Sequence, residues 1–530
     1  MAQNFVRGDD PGQGYLLPPD VRDWLPARHL AWELRALAQE MDLGPFMSWY
    51  RADGQGRPAY HPAVMVTLAC YCFCKGIRSS RGIEAATYDD VGARVICGNL
   101  HPGHSTVHRF LVRHEEAVKG LLAASVVACA REGLVAVDVV AGDGTKVKAS
   151  ASPAANVTLE RLDLQIGELE AVVAAEVEAW LADARAEDAA DGLDGADRDG
   201  PPGGAGGGPA TSRRAAAAAG ALARRRDARD RLAPQEAARL AGELAQRAAK
   251  ITRCEQRAAG AARAAADAAA AADAKAAAWQ ARAAAKAAAG SSKRPGGRRP
   301  VSAAGSARVA RARAAAQKAA AALEQALAAA AAAGKPLKIS TTDPSSKIMQ
   351  AKNGGFGQLH NIQALATKDQ VILGISRHPS AADTAALHPL LHTSQATLDT
   401  AGITAKISKA LFDAGYASDA NFTAACEADL YVAVTKEARQ TGRQAGGKQP
   451  ATRKPSWQQM AAKLATPEGK ALCRQRAAII EPVFAQLFAR LGNRLHYRDQ
   501  RADLELHLWA ATHNLLKAIR ARQRAAAQPA

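Results

Sequence analysis

An apolar stretch of the kind that opens an export signal is lacking from the first ten residues, Met-Ala-Gln-Asn-Phe-Val-Arg-Gly-Asp-Asp, so no export is expected. Outside alanine-only segments it has no uncharged apolar run of about 20 residues, which argues against a membrane span. Its eight cysteines include no pair of Cys-x-x-Cys units. That argues against both a zinc ribbon and a secreted disulfide frame. The one cysteine cluster, Cys70, Cys72 and Cys74, falls in a segment expected to be helical, where positions two apart point away from each other, so these read as ordinary buried thiols. Acid is also in short supply. There are 51 Asp and Glu against 69 Lys and Arg over 530 residues, a formal net charge of +18 and a pI near 9.7. Such a balance suits a protein that displaces counterions from a phosphate backbone, although ribosomal and membrane-surface proteins share it. The expectation is a cytosolic, reduced protein of two or three domains with a polyanionic partner.

Residues 20–130 read as a helical module, with amphipathic stretches at 29–42, 62–75 and 105–131. Ser105 is placed to cap the last of these, which carries His108, Arg109, Arg113 and His114 on an apolar scaffold. A short turn before it is compatible with a helix-turn-helix, and equally with a plain bundle that has a basic face. From residue 134 the pattern turns β-rich, then stops near 154. Residues 155–335 are alanine-rich helices with little to bury except alanine, broken near 191–209 and 291–300. Leu159, Leu162, Ile166, Leu169, Val173, Val177 and Trp180 or Leu181 recur at heptad-like spacing, so a helical hairpin or coiled coil is expected there, as a protrusion from the core. Strand patterns resume at 337–341, 360–366 and 371–375. A helix follows near 384–392, another at 404–410, a strand ending at Asp413, a helix at 419–429 and a strand at 430–434. Strands alternating with helices predict an α/β core split by the alanine-rich segment.

Three acids stand in settings unlike one another: Asp143 in Gly-Asp-Gly-Thr-Lys, Asp413 in Leu-Phe-Asp-Ala-Gly-Tyr, and Glu481 in Ile-Ile-Glu-Pro-Val-Phe. Two close apolar runs of the kind that form buried strands. The third opens or interrupts a helix, because Pro482 either starts one or kinks a longer one. Phosphodiester transfer needs no covalent enzyme intermediate if two divalent ions, about 3.5–4 Å apart, activate the attacking oxygen and stabilise the leaving one. Magnesium takes oxygen ligands and keeps several waters, so few carboxylates suffice. Gly142 and Gly144 would let a phosphate approach. Asp138, Asp343, Asp383 and Asp419 are rival acids. The basic loop holding Arg439, Arg443, Lys448, Arg453 and Lys454, between the second and third acids, is a candidate DNA clamp.

These blocks carry a family resemblance. Asp143-Gly144-Thr145-Lys146, Asp343 to Met349, His360-Asn361-Ile362-Gln363, Asp413-Ala414-Gly415-Tyr416, Glu481-Pro482-Val483-Phe484 and His513-Asn514-Leu515-Leu516-Lys517 resemble, in order, the blocks of bacterial insertion-sequence DDE transposases, in particular the IS-four superfamily in its eleven-eighty-two branch. His61-Pro62-Ala63-Val64, Gly76 to Arg81, and His104 to Phe110 resemble that branch's amino-terminal domain. The resemblance implies an amino-terminal helical DNA-binding domain over 1–131, an RNase H-like mixed-sheet core in two parts, 132–154 and 336–530, and a helical insertion over 155–335. It implies catalysis by Asp143, Asp413 and Glu481 as ligands of two Mg²⁺ or Mn²⁺ ions, and it selects Asp143 over Asp138. The partners it implies are terminal inverted repeats and target DNA, with a homodimer in a synaptic complex at the bacterial nucleoid. DNA contacts are expected from Arg78, Arg81, Ser105, Thr106, His108, Arg109, Lys146 and Arg476 as well as the basic loop.

The third block departs from the family pattern. Cys473 stands where a tyrosine is usual and Phe488 where a lysine is usual, and Arg490 and Arg494 lie one turn or more beyond. His360 also replaces a usual tyrosine. Two other readings stay open: a catalytically inactive DNA-binding descendant, and a coiled-coil scaffold whose alanine-rich segment is the functional part.

Overall fold

The computed structural model describes residues 21–50, 59–191, 213–289, 295–296, 298–331, 334–351, 354–434 and 454–527. The chain divides into two units, one formed by the residues up to Asn156 together with those from Ser340, the other by Val157–Ile339. Among the described residues no helix is long and apolar enough to cross a membrane.

In the first unit, apolar residues at helical spacing build seven helices before the first strand: α1 (Leu30–Glu40), α2 (Gly44–Met47), α3 (Pro62–Cys74), α4 (Ser80–Asp89), α5 (Val91–Ile96), α6 (His104–Arg113) and α7 (Glu115–Arg131). Cys70, Cys72 and Cys74 all lie on α3, which is apolar almost all round and is buried accordingly. The helix expected over 105–131 is two helices. The break falls at His114, whose buried ring packs among Phe46, Trp49, Tyr50 and Phe110. Ser105 is not the cap: Gly103 occupies that position and makes no side-chain cap bond. Residues 97–103 connect α6 to the element before it, α5.

The sheet follows. Strand β1 (Val139–Lys148) pairs antiparallel with β3 (Phe356–Thr367). On the other edge of β3, β2 (Lys347–Gln350) and β4 (Ile372–His378) both run antiparallel to it. On its far side β1 pairs in parallel with β5 (Lys409–Phe412), which pairs in parallel with β6 (Asp429–Val432). The helix expected at 404–410 is absent. Ser408 and Lys409 instead donate their backbone N–H groups to Val137 and Asp138, because the open edge of β1 offers a ladder that a helix would leave unmade. The helix expected at 419–429 shrinks to α12 (Asp419–Thr423), after α11 (Leu387–Thr400). Three helices end the unit: α13 (Pro455–Ala465), α14 (Pro467–Leu491) and α15 (Arg501–Ala525).

Helix α15 ties the amino-terminal helices to the sheet. Its Asn514 is fully buried and completes the edge of β4 like a neighbouring strand: Oδ1 accepts from Ile372 N at 2.8 Å, and Nδ2 donates to Ile372 O at 2.9 Å and to Ser125 Oγ on α7 at 3.1 Å. Gly76 sits where only glycine fits, with φ of +82° and a Cβ position 2.6 Å from the Arg490 carbonyl oxygen.

Pro482 lies inside α14 and cannot donate to the Ala478 carbonyl. Gln370, at the β3–β4 turn with φ of +62°, does so instead through Nε2 at 3.4 Å. The same residue offers its own carbonyl to His513 Nε2 at 2.9 Å, and burial lowers the His513 pKa to about 3. An imidazole whose folded pKa lies below its unfolded value of about 6.5 leaves stability intact above that value and withdraws it as pH falls toward 3, because only the unfolded chain takes up the proton in that window. Between pH 7.5 and 5.5 His513 alone should cost the fold about 1.4 kcal/mol. Burial also lowers the pKa values of His114, His496 and His507, which act in the same direction. Urea unfolding at the two pH values checks this. The His513→Gln variant should show a pH dependence smaller by about that amount, and an equal pH dependence in both proteins would refute the assignment.

The second unit consists of α8 (Leu159–Asp191), α9 (Arg213–Ala288) and α10 (Ala307–Ala331), with α8 and α10 each packed along α9. Leu162, Ala228, Leu232 and Ile339 form a small core. The heptad seam expected on α8 fades along its length. Leu162 and Ile166 are buried, whereas Val177, Trp180 and Leu181 are exposed, since α9 offers mostly alanine to pack against.

Candidate active site

Strand register brings the first two acids together. The parallel ladder aligns Val139 with Lys409 and Ala141 with Leu411. Two residues on, Asp143 and Asp413 stand level and on one face of the sheet. Asp413 ends β5 as the cap of a short 3-10 turn, its Oδ1 accepting from Gly415 N at 2.9 Å. Asp143 Oδ1 accepts from Gly144 N at 2.7 Å. Helix α14 crosses β1, β3, β5 and β6 and supplies the other charged groups. Arg476 reaches Asp143 Oδ2 at 3.8 Å with one guanidinium nitrogen and Glu481 Oε1 at 3.9 Å with another. The Arg476 side chain is 6% exposed and that of Glu481 61%, so the glutamate is the more solvent-open member. Asp138, by contrast, pairs with Lys368 at the other end of β1.

Alternation along β1 sends Lys146 to the opposite face. There its Nζ donates to the Ala381 carbonyl at 2.8 Å and reaches Asp383 at 3.4 Å. Asp383 Oδ1 also accepts from Asn361 Nδ2 at 2.7 Å and Gln363 Nε2 at 2.8 Å, and the Tyr416 hydroxyl donates to Gln363. Gly144 has no room for a side chain, since a Cβ would lie 2.6 Å from Gln363 Nε2 and 2.9 Å from Asp383 Oδ1. Burial lowers the Lys146 pKa against the pull of Asp383. Burial raises that of Tyr416, and Asp143, Asp383 and Asp413 push it the same way. This polar support behind the acids includes Gln363 and Asp383. Asp383 stood in the sequence only as one rival acid among four, because its neighbours come from β1 and β3, far from it along the chain.

Asp343 and Asn361, which stand in two of the family-like blocks, have structural partners. Asp343 is buried and joins His360 Nε2 at 3.0 Å and Asp499 N at 3.1 Å. Asn361 bonds Ser380 O and Asp383. A cleft beside Arg476 is lined by Leu411, Tyr431, Lys470, Cys473 and Arg474. Arg490 turns inward toward Cys74 and Arg520, where burial lowers its pKa.

The expected DNA-contacting residues fall in different places. Arg81 and Arg109 are exposed, and the Arg109 Nε donates to the Ser105 carbonyl. Thr106 faces a cleft with Arg109 and Arg113, and His108 stacks with Tyr497 at 6.4 Å. Arg78 is engaged inside the fold, paired with buried Glu505 at 3.1 Å. Lys454 pairs with Asp419 at 2.7 Å. Arg439, Arg443, Lys448 and Arg453 lie outside the described residues.

Among the described residues no three His, Cys, Asp or Glu side chains lie close enough together to hold one metal ion. The donors at this face are nevertheless all carboxylate oxygens, which suits a hard divalent cation and not a thiolate-seeking one. The guanidinium of Arg476 places positive charge between two of them.

Residues 19–113 match the family model described as a transposase domain, DUF772, and residues 334–515 match the transposase DDE domain, together just over half of the chain. The second match includes Asp413 and Glu481 and begins beyond Asp143. No curated protein and no solved structure matches the chain. Proteins with the DDE domain are DNA cleavage and transfer enzymes that generally use divalent metal ions. The chain therefore belongs to the insertion-sequence DDE transposases.

Proposed function

We propose that this protein is an active transposase of the IS-four superfamily, eleven-eighty-two branch, in which Asp143, Asp413 and Glu481 form the catalytic triad on an RNase H-like sheet. The observation that carries the reading is the parallel register of β1 and β5. It sets Asp143 and Asp413 level on the face that α14 crosses with Glu481 and Arg476. The strand order, with an antiparallel β1, β3 and β4 beside a parallel β5 and β6, supports the RNase H-like assignment. Asp143 and Asp413 would hold two Mg²⁺ or Mn²⁺ ions between them, and Glu481 would complete the second site. When bound, such ions lower the pKa of an attacking water and neutralise charge on the leaving oxygen.

The chain's own residues do the rest. Arg476, nearly buried, counters the charge of Asp143 and Glu481 before DNA arrives and then faces a phosphate. Asp383, held by Lys146, Asn361 and Gln363, fixes the back of β1 so that Asp143 keeps its aim. The amino-terminal helices, with Arg81, Thr106, His108 and Arg109, bind the terminal inverted repeats. Lys454 and the loop before it, with Arg439, Arg443, Lys448 and Arg453, clamp the backbone. Two DNA ends must be joined, so a homodimer forms the synaptic complex.

The test is nicking of a supercoiled plasmid that carries the DNA flanking this gene. Cleavage at the element ends is expected with Mg²⁺ or Mn²⁺ and none with a chelator. Binding without cleavage under any metal would instead favour the inactive descendant, the reading that Cys473 and Phe488 support.

A further inference from the structure

The hairpin of the second unit is electrically lopsided. Residues 250–318 contain 15 Lys and Arg against 3 Asp and Glu, a surplus of 12 within a chain whose net charge is +18. In the half of α9 nearer α8 the arginines have partners: Arg214 with Glu176, Arg226 with Glu170, Arg229 with Asp163, and Arg239 and Arg247 with Glu243. Beyond Arg247, among the described residues, no Lys or Arg of α9 or α10 makes an ion pair. Charge that is balanced at one end of the helix is left unbalanced over the rest of it.

The unbalanced charge is also ordered. At 100° per residue Lys250, Arg253, Arg257, Lys275, Arg282 and Lys286 fall within about 60° of one another around α9, the acids Glu255 and Asp273 lie roughly on the opposite flank, and Asp267 borders the stripe with Arg263 just beyond it. All six are exposed. The side of α9 between the flanks is half-buried along α10 through small residues such as Ala258, Ala265 and Ala276. From Lys250 to Lys286 the stripe runs about 54 Å at 1.5 Å per residue, the length of about 16 base pairs. Trp279 is the one aromatic residue in 250–318 and is half-buried under Arg299. The stripe therefore offers neither the stacking platform that single strands need nor the apolar face that inserts into a membrane. What remains is a straight row of cations matched to a phosphate backbone.

We propose that the distal half of this hairpin is a sequence-independent clamp for duplex DNA, with the stripe from Lys250 to Lys286 following the phosphates of about one and a half helical turns. The partner class rests on the transposase reading. The stripe shares no residue with Asp143, Asp413 and Glu481.

The experiment measures how binding of the full chain to a 24-bp duplex of arbitrary sequence depends on NaCl. The comparison is with a variant in which all six stripe residues are changed to glutamine, which keeps helix propensity and removes only charge. Each phosphate contact contributes about 0.9 to the slope of log K against log salt, so the variant should lose about three to five from the magnitude of the slope. Its affinity at low salt should fall at least a hundredfold. A 10-bp duplex, too short to span the stripe, should show a loss several-fold smaller. An unchanged slope in a variant with unaltered helical circular dichroism overturns the clamp. So does an equal loss on both duplexes. Plasmid nicking by the same two preparations keeps the readings apart, because failure of the wild type to nick strikes the transposase assignment, whereas the slope alone decides the clamp.

Discussion

Replacing Asp143 or Asp413 by asparagine, or Glu481 by glutamine, is expected to lower metal-dependent strand cleavage by about 10³-fold or more while leaving binding of the terminal repeats within twofold. The size follows from what a metal ion contributes. Several kcal/mol of charge stabilisation are lost with a ligand carboxylate, and each 1.36 kcal/mol is a factor of ten. The amides keep the shape of the site. Asparagine at 143 still accepts from Gly144 N, and at 413 it still caps the turn through Gly415 N, a position where Asn and Asp serve about equally. Thermal unfolding without metal should therefore be little changed, since the backbone N–H groups that these side chains satisfy keep their acceptors. Cleavage by any one amide variant within tenfold of wild type would remove that residue from the triad. A variant that loses cleavage and melting temperature together would point to a structural role instead.

How much of this was legible depends on which interactions are local. Asp143 and Asp413 stood out because short apolar runs with nearby glycines mark buried strands, although Asp143 lies within β1 and not at its end, and strand register then brings the two level across a gap of 270 positions in the chain. The strand at Lys409–Phe412 was misjudged in part, because 404–410 has helical spacing while the edge of β1 supplies the hydrogen bonds that decide the matter. The support behind the acids was hidden for the same reason. Asp383 meets Lys146, Asn361 and Gln363 only once β1, β3 and the loop after β4 are in place. Charge was the least readable signal. Arg78 and Lys146 looked like phosphate ligands, and each is engaged with a carboxylate inside the fold. Sequence shows that a cation exists, whereas whether it is already paired depends on contacts made across the tertiary structure.

Arg78 gives the sharpest test of that distinction. Its guanidinium lies over Trp509, donates to the Arg494 carbonyl, and pairs with Glu505, whose side chain is fully buried and also accepts from His496 N at 2.7 Å and Tyr497 N at 2.9 Å. Arg78→Ala is expected to destabilise the protein by about 3–5 kcal/mol, because it leaves a buried carboxylate without its cation. Mere loss of a phosphate contact would leave stability unchanged. The pH dependence separates the two further. Burial raises the Glu505 pKa even with Arg78 present, so its folded value lies above its unfolded one and removal of Arg78 must raise it more. A carboxyl of that kind costs the fold stability at high pH and returns it as pH falls through the folded pKa. The gap between variant and wild type in urea unfolding should therefore be larger at pH 8 than at pH 5. A gap near zero at both would return Arg78 to the DNA-binding surface, whereas a gap that narrows on acidification fixes it as the pin between the α3–α4 connection and α15.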